Sequence, residues 1–411
     1  MDRLFGIIGI ISFLGIAFLM SNNRRAINYR LVGVGLVLQV GLALFILKTQ
    51  VGKVLFGWIA TFISKILDFS DEGAKFVFGV LVNKEVLSQT LGIGNAFIFF
   101  FKIIPTIIFV AVLVNIAYHL GIMQRVVSIF AWVVNKLMGA SGSEALSNVG
   151  SVFVGQVEAQ IMIKPYVKGM TKSELLASMT GSMACIAGGV MAVYISMGVP
   201  AQYLLAASLM AAPGALVISK IVYPETEESQ TKGSVSLQVE KNHANLMDAI
   251  SHGASDGLKI SLNVIAMLLG FIALIAMIDA GLGFLGQLIG TELNLTILLG
   301  TLFSGFAYVM GVPTQDIQIV GALMGKKMVI NEFVAYSELI PIMKKLDPKS
   351  LVIVSFALCG FANFSSIAIQ VGGIGEIAPS RRADLAALGF KAMICGTMAS
   401  YMSATIAGIL S

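Results

Sequence analysis

The sequence predicts an all-α polytopic membrane protein, and two observations support this fold class. The 411 residues are 57% hydrophobic and only 12% charged, with a mean hydropathy of +0.90. So apolar a composition is not compatible with a solvated surface. The basic residues cluster in short segments between apolar runs, which is typical of the positive-inside rule and not of a nucleic-acid-binding patch. We therefore expect the lipid bilayer, and no nucleic acid, as a partner.

Eight apolar runs have about the length of a transmembrane helix, which needs roughly 20 residues. The first run is followed, not preceded, by the basic residues Arg24, Arg25 and Arg30. A cleavable signal peptide has the opposite order, so we expect this span to be retained with its N-terminus outside. The predicted spans cover residues 4–20, 31–47, 93–120, 175–197, 203–222, 260–278, 351–371 and 385–410.

Two further segments are too polar to span. Residues 48–89 mix apolar and charged side chains, with Trp58, Phe62 and Ile66 at helical spacing, which predicts interfacial helices. Residues 224–259 are hydrophilic and predict a cytoplasmic loop followed by an amphipathic lead-in helix.

Two carboxylates lie inside apolar runs. Glu158 stands in the otherwise uncharged stretch 145–163, and Glu332 stands in a second apolar run. An ionisable side chain at membrane depth costs at least about 2.5 kcal/mol on insertion scales, so it normally faces a cavity, a partner or a substrate. Each has a carboxamide close by, Gln156 and Asn331. We expect two buried carboxylates in matching settings that form two halves of one site.

Two re-entrant helical hairpins are expected. The polar middle of residues 139–165 does not fit a straight lipid-facing crossing, whereas non-helical backbone is tolerated at depth when protein buries it. Residues 293–312 and 317–333 have the proportions of a second hairpin.

The chain also repeats the order of a hairpin carboxylate followed by an interrupted span. Gly188 lies 30 positions after Glu158, and Asn363 lies 31 positions after Glu332. Broken helices in corresponding places predict a secondary transporter with its site near the membrane midplane. With the spans counted in this way, we expect the two hairpins to open to opposite sides, so that the repeat is inverted. We expect four segments. Residues 1–137 contain the N-terminal spans and interfacial helices of a scaffold, and residues 138–222 contain the first hairpin, the broken helix and the following span. Residues 223–290 contain the cytoplasmic loop and a scaffold span, and residues 291–411 contain the second hairpin, the broken helix and the last span.

No structural metal and no organic cofactor is expected. The cysteines lie in predicted spans and the histidines share no ligand spacing with them, so neither a disulfide framework nor a metal site is indicated. These residues are Cys185, Cys359 and Cys395, and His119, His243 and His252.

The chain resembles the bacterial branch of the concentrative nucleoside transporter family. Four motifs carry the resemblance: Gly155-Gln156-x-Glu158, residues 186–190 (IAGGV), residues 330–336 (INEFVAY) and residues 357–366 (ALCGFANFSS). The resemblance implies a nucleoside substrate, eight transmembrane helices, two re-entrant hairpins, and a homotrimer whose protomers transport independently in the bacterial cytoplasmic (inner) membrane.

The resemblance also implies roles for individual residues. Gln156 and Glu158, with Val190, should contact the nucleobase. Glu332, Asn363 and Ser366 should hold the ribose hydroxyls, with Phe361 packed beside them. Carboxylate and amide groups can pair with vicinal hydroxyls, whereas an uncharged sugar needs no arginine. The family often has a hydroxyl residue where this chain has Val157, which bears on base selectivity.

For the coupling ion, the positions that match the family's sodium site are Ser151, Val154, Cys185 and Ile186. The side chains at Ser151 and Cys185 depart from the expected asparagine and serine. A thiol is a poor ligand for a hard cation. We therefore expect proton coupling in preference to sodium, with Glu158 or Glu332 as the carrier, because burial favours the neutral form of a carboxylate.

Other functions stay open at this point. An intramembrane enzyme could use Glu158 and Glu332 as a carboxylate pair, although no histidine cluster or cysteine–histidine pair lies within the predicted spans. The chain could instead transport another small polar solute. Both carboxylates could also be contacts that hold helices together.

Overall fold

A computed structural model describes residues 2–91, 98–232 and 244–411, and the secondary structure in these ranges is helical throughout. The helices of the first half are α1 (Asp2–Leu19), α2 (Tyr29–Lys48), α3 (Gln50–Phe78), α4 (Lys84–Leu91), α5 (Phe99–His119), α6 (Ile122–Met138), α7 (Gly142–Phe153), α8 (Glu158–Ile161), α9 (Lys164–Val167), α10 (Lys172–Ala184), α11 (Gly188–Met197) and α12 (Ala201–Val222). Those of the second half are α13 (Leu246–Ile289), α14 (Leu295–Val309), α15 (Ile317–Val329), α16 (Glu332–Leu339), α17 (Pro348–Leu358), α18 (Phe364–Ile377) and α19 (Arg382–Leu410).

The predicted spans correspond to α1, α2, α5, the pair α10 and α11, α12, α13, the pair α17 and α18, and α19. Residues 93–97 of the third span lie outside the described part. Among the described residues, seven helices are long and apolar enough to cross a membrane, and α3 is one of them. The all-α membrane fold class is confirmed, while the interfacial position of α3 stays a prediction.

The prediction of a lead-in helix separate from the sixth span is wrong. The two form one continuous helix, α13, of 44 residues. At about 1.5 Å per residue it is roughly 66 Å long. It packs along α5. A Cβ at Gly253 would lie 2.7 Å from the Cα of Val112, and one at Gly257 would lie 2.6 Å from the Cα of Ile108. Small residues thus allow the two backbones to approach closely. Residues 233–243 of the predicted loop lie outside the described part.

The second hairpin begins one helix later than expected. α14 and α15 do pack against each other, but the helix break beside Glu332 falls between α15 and α16. The physical cause is the Asn331 side chain, whose Oδ1 accepts the Val334 N–H at 2.9 Å and so starts a new helix. The element that matches α7 and α8 is therefore α15 and α16, and α14 matches α6.

The repeat runs in the same order in both halves. The series α5, α6, α7, α8, α10, α11 and α12 corresponds to α13, α14, α15, α16, α17, α18 and α19. α19 lies at the centre, where it packs against α10, α12, α17 and α18. The two broken helices are thus held side by side inside the molecule, and the exposed helices α2, α3 and α13 lie around them.

Candidate functional site

The unwound segments of the two broken helices contact each other. The break between α10 and α11 meets the break between α17 and α18, where the Phe361 N–H donates to the Cys185 carbonyl at 3.3 Å. On α19, the Ser400 hydroxyl lies 3.3 Å from the Ala184 carbonyl and 3.4 Å from the Cys359 carbonyl. Both breaks expose backbone carbonyls that need such donors. The two halves of the repeat therefore meet at their least regular points.

Glycines allow this close approach. Gly360 has φ of +144°, and a Cβ there would lie 2.6 Å from the Ala184 carbonyl oxygen. At Gly188, the first residue of α11, a Cβ would lie 2.8 Å from the carbonyl oxygen of Phe153 at the end of α7. A side chain at Gly360 would separate the two helix breaks, and one at Gly188 would separate α11 from α7.

Glu332 is buried where the second hairpin faces the broken helices. Its side chain is 7% exposed. Its Oε1 accepts a hydrogen bond from the Tyr194 hydroxyl at 3.2 Å, and its Oε2 accepts one from Asn363 Nδ2 at 3.1 Å. Glu332 is also the first residue of α16, and a helix N-terminus stabilises negative charge. The carboxylate is thus fixed at both oxygens.

The Asn363 side chain also caps the N-terminus of α18. Its Oδ1 accepts the Ser366 N–H at 2.9 Å and the Ser365 hydroxyl at 2.7 Å, which caps the N-terminus of α18. Because the oxygen is engaged in the cap, the amide nitrogen is directed towards Glu332.

The tip of the first hairpin reaches the same helix. Gln156 Nε2 lies 3.5 Å from the Ser366 hydroxyl, and its Oε1 accepts from Gln370 Nε2 at 3.4 Å. Gln370 also donates to the Met179 carbonyl of α10 at 3.3 Å. Glu332, Asn363, Ser366 and Gln156 therefore form a connected polar chain from one hairpin to the other.

The expectation of two buried carboxylates is wrong for Glu158, which is exposed. The Glu158 carboxylate lies against Gly155, in the space that a side chain at that position would occupy. The intervening Val157 packs its methyl groups towards Gly373 on α18. The two halves of the site therefore differ: one carboxylate is enclosed and the other is open. Val190 and Phe361 are half-buried.

The four positions that match the family's sodium site lie at the ends of α7 and α10. The Ser151 hydroxyl donates to the Ser147 carbonyl at 2.7 Å and lies 2.9 Å from the Ser182 hydroxyl. Ser182 also accepts from Gln160 Nε2 at 2.8 Å. The Cys185 thiol instead faces α12, 3.8 Å from the Ser208 carbonyl. Ser151 thus belongs to a cluster of oxygens that the Cys185 thiol does not join. Val154 and Ile186 are buried beside these breaks.

Sequence reasoning missed three residues of this region: Tyr194, Gln370 and Ser400. Gln370 could have been found, because Asn363, Ser366 and Gln370 have the spacing of one helix face. Tyr194 and Ser400 carry no such signal, since a tyrosine or serine is common in an apolar helix.

Two breaks in contact, two hairpins and a polar chain between them define a membrane transporter of the broken-helix class. Comparisons with known families agree with this class. Residues 203–408 match the family model described as Na+ dependent nucleoside transporter C-terminus, and residues 8–81 match its N-terminus. Residues 100–201 match a model described as Nucleoside recognition. The chain belongs to the concentrative nucleoside transporter family. This is a family of transporters, which answers the alternative of an intramembrane enzyme.

Similar proteins cover the whole chain. The uncharacterized transporter YutK of Bacillus subtilis is 42% identical over 411 residues, which is 100% of both chains. The nucleoside permease NupC of Helicobacter pylori is 39% identical and covers 99% of this chain and 98% of its own. The solved structure of CNTnw in an inward-facing substrate-bound state is 41% identical with a TM-score of 0.95, and covers 100% of this chain and 98% of its own.

Proposed function

We propose that this protein imports nucleosides across the bacterial cytoplasmic membrane, coupled to an ion gradient. The observation that carries the proposal is the enclosed Glu332 carboxylate, held by Tyr194 and Asn363 beside two helix breaks. A carboxylate and an amide side by side can accept from and donate to neighbouring hydroxyls of an uncharged sugar. The names of the family models support the same substrate class.

The two halves of the site suit the two parts of a nucleoside. Glu332, Asn363 and Ser366 are proposed to bind the ribose hydroxyls. A site built to pair with hydroxyls rejects analogues that lack them, because its own buried groups are then left unpaired. The more open tip with Gln156 and Glu158 is proposed to bind the base. Val157 and Val190 would contact the base beside these groups, and Phe361 would pack against the sugar.

The proposed movement is an elevator. The hairpins, the broken helices, α12 and α19 would move together with the substrate, and residues 1–137 and 223–290 would form the static scaffold. The hydrogen bond between Phe361 and Cys185 supports a rigid moving unit. A homotrimer assembled through the exposed scaffold helices is part of the proposal.

The proposed coupling ion is the proton. Support comes from the Cys185 thiol, which faces Ser208 and leaves Ser151 as the remaining side-chain ligand of the four candidate positions. Glu158 is the better supported proton carrier of the two carboxylates. It is exposed, whereas Glu332 is enclosed and accepts a hydrogen bond at each carboxylate oxygen.

The test is uptake by purified protein in liposomes. Radiolabelled uridine and adenosine are offered with an imposed inward proton gradient, an inward sodium gradient, or neither. We expect uptake that is stimulated by external acid, abolished by a protonophore and independent of sodium. Protein-free liposomes and the Glu332→Gln variant serve as controls.

Two results would contradict parts of the proposal separately. Uptake of neither nucleoside under any gradient would reject nucleoside import. Uptake driven by sodium at equal pH on both sides, and untouched by a protonophore, would reject proton coupling and leave nucleoside import intact.

A further inference from the structure

Lys327 is a fully buried lysine that the proposed function does not use. It lies two residues before the end of α15, and its side chain has 0% exposure. Within the described residues its ammonium group has no hydrogen-bond partner. The ring of Tyr401 on α19 has its centroid 6.0 Å from Nζ. The Tyr401 hydroxyl is likewise without a partner in this part of the chain.

The preceding lysine is different. Lys326 also belongs to α15, but its ammonium forms an ion pair with Glu338 at 2.6 Å, and the Glu338 side chain is 41% exposed. A charge that is buried without a direct partner is far more expensive than such a paired one. Lys327 therefore keeps its charge only if another charge, which it does not touch, compensates it.

Glu332 is the carboxylate on the opposite side of the helix break from Lys327, five residues further along the chain. The two residues flank the break between α15 and α16. Lys327 lies in the last turn of one helix and Glu332 is the first residue of the next, so both helix dipoles favour these signs of charge. The Tyr401 phenol is a further titratable group near Lys327.

The internal repeat allows Lys327 to be compared with the corresponding residue in the first half of the chain. Ser151 lies two residues before the end of α7, and Lys327 lies two residues before the end of α15. The first half thus has a neutral hydroxyl before its break, whereas the second half has a cation. The same asymmetry applies to the carboxylates, because Glu158 is exposed and Glu332 is enclosed. The buried cation is present in the half that encloses its carboxylate.

We propose that Lys327 is the counter-charge that keeps Glu332 ionised, so that Lys327 sets the affinity for hydroxyl-bearing substrates without contacting them. This inference rests on the proposed function, since it takes Glu332 as the acceptor of ribose hydroxyls. Lys327 is a positioning residue. Without it, Glu332 would bind a proton and lose the charge-assisted part of its hydrogen bonds to substrate.

The experiment compares substrates as well as variants. Binding of uridine and of its two monodeoxy analogues, which each lack one ribose hydroxyl, is measured on purified full-length protein by competition with radiolabelled uridine. The variants are Lys327→Met and Lys327→Gln, and the matched control is Lys326→Met on the same helix. We expect both Lys327 variants to bind uridine about tenfold more weakly, because a charged hydrogen bond is replaced by a neutral one. For at least one deoxy analogue the loss should be under about twofold, and the control should leave the preference for uridine unchanged.

Equal weakening for all three substrates would overturn the inference, because a purely structural role acts on all of them alike. Uridine affinity like that of the unmutated protein would also overturn it. If both single variants fail to fold, the double variant Lys327→Met, Glu332→Gln decides: recovery of folded protein supports charge compensation, and no recovery rejects it. Failure of the unmutated protein to bind uridine would instead reject the proposed function, and the inference with it.

Discussion

The backbone N–H of Phe361 donates a hydrogen bond to the backbone carbonyl of Cys185, so the break in one broken helix is bonded directly to the break in the other. These two residues come from the two halves of the repeat. This bond ties the two half-sites together at their helix breaks. In the proposed elevator movement, the residues proposed to bind ribose and those proposed to bind the base would keep their separation.

The first prediction concerns Gly360. In the variant Gly360→Ala the methyl group would meet the Ala184 carbonyl in a backbone conformation with φ of +144°. Such strain costs of order 1–3 kcal/mol. We expect a lower midpoint of thermal unfolding in detergent. The control is Gly372→Ala on α18, where no atom lies within 4 Å of the added Cβ. Identical midpoints for the two variants would contradict the proposed role of Gly360 in joining the breaks.

The second prediction concerns the ribose half-site. Glu332→Gln places an amide nitrogen opposite one of the two donors, Tyr194 or Asn363, and Asn363→Ala removes a donor and a helix cap. Each lost charge-assisted hydrogen bond is worth about 1.5–3 kcal/mol, so uptake should fall more than tenfold. Uptake is measured at matched membrane expression. Ser337→Ala is the control, because that hydroxyl donates within α16 to the Phe333 carbonyl. Uptake like that of the unmutated protein in either site variant would reject the assignment.

The third prediction concerns base selectivity at Val157. Val157→Thr replaces one methyl group with a hydroxyl and keeps the branched shape that packs against Gly373. Val157→Ser replaces one methyl group with a hydroxyl and removes the other. A hydroxyl that finds a base edge is worth about 0.5–1.5 kcal/mol, which corresponds to a several-fold change. We expect the ratio of uridine to adenosine uptake to change while transport persists. Unchanged competition profiles for both variants would exclude a role in selectivity.

The fourth prediction concerns the coupling ion. The double variant Ser151→Asn, Cys185→Ser introduces the two side chains that the family resemblance leads us to expect at these positions, and it replaces the thiol with a hydroxyl. A hard cation prefers oxygen to sulfur. We expect acid-stimulated, sodium-independent uptake to gain sodium dependence in this variant. The measurement is initial uptake rate against sodium concentration at fixed pH, and Cys395→Ser in α19 is the control for removal of a buried thiol. Sodium dependence that is already present in the unmutated protein would contradict the prediction.

Much of the fold could be predicted because apolar length and charge placement follow from the bilayer itself. Glu332 could be singled out from the sequence, because a charged group in an apolar run is rare. The roles of Asn363 and Ser366 are implied by the family resemblance, and in the structure Asn363 is bonded to both Glu332 and Ser366. The exposure of Glu158 could not be predicted, because it depends on how the hairpin tip packs and not on local composition. The sequence places the second hairpin one helix too early for a related reason. The Asn331 side chain caps a new helix within a run that is apolar on both sides, so the break leaves no signal in the composition.

Asn363 has a consequence for the entropy of binding. Its carboxamide is immobilised by the cap of α18 before any solute arrives, with Oδ1 bonded to Ser366 and Ser365. Ordering a free polar side chain on association costs about 0.5–1.5 kcal/mol. The entropy of ordering the Asn363 side chain is lost during folding and not on binding. A bound solute therefore meets an amide donor that already has a single orientation. Selectivity at this position therefore comes from the fold and not from adjustment to the ligand.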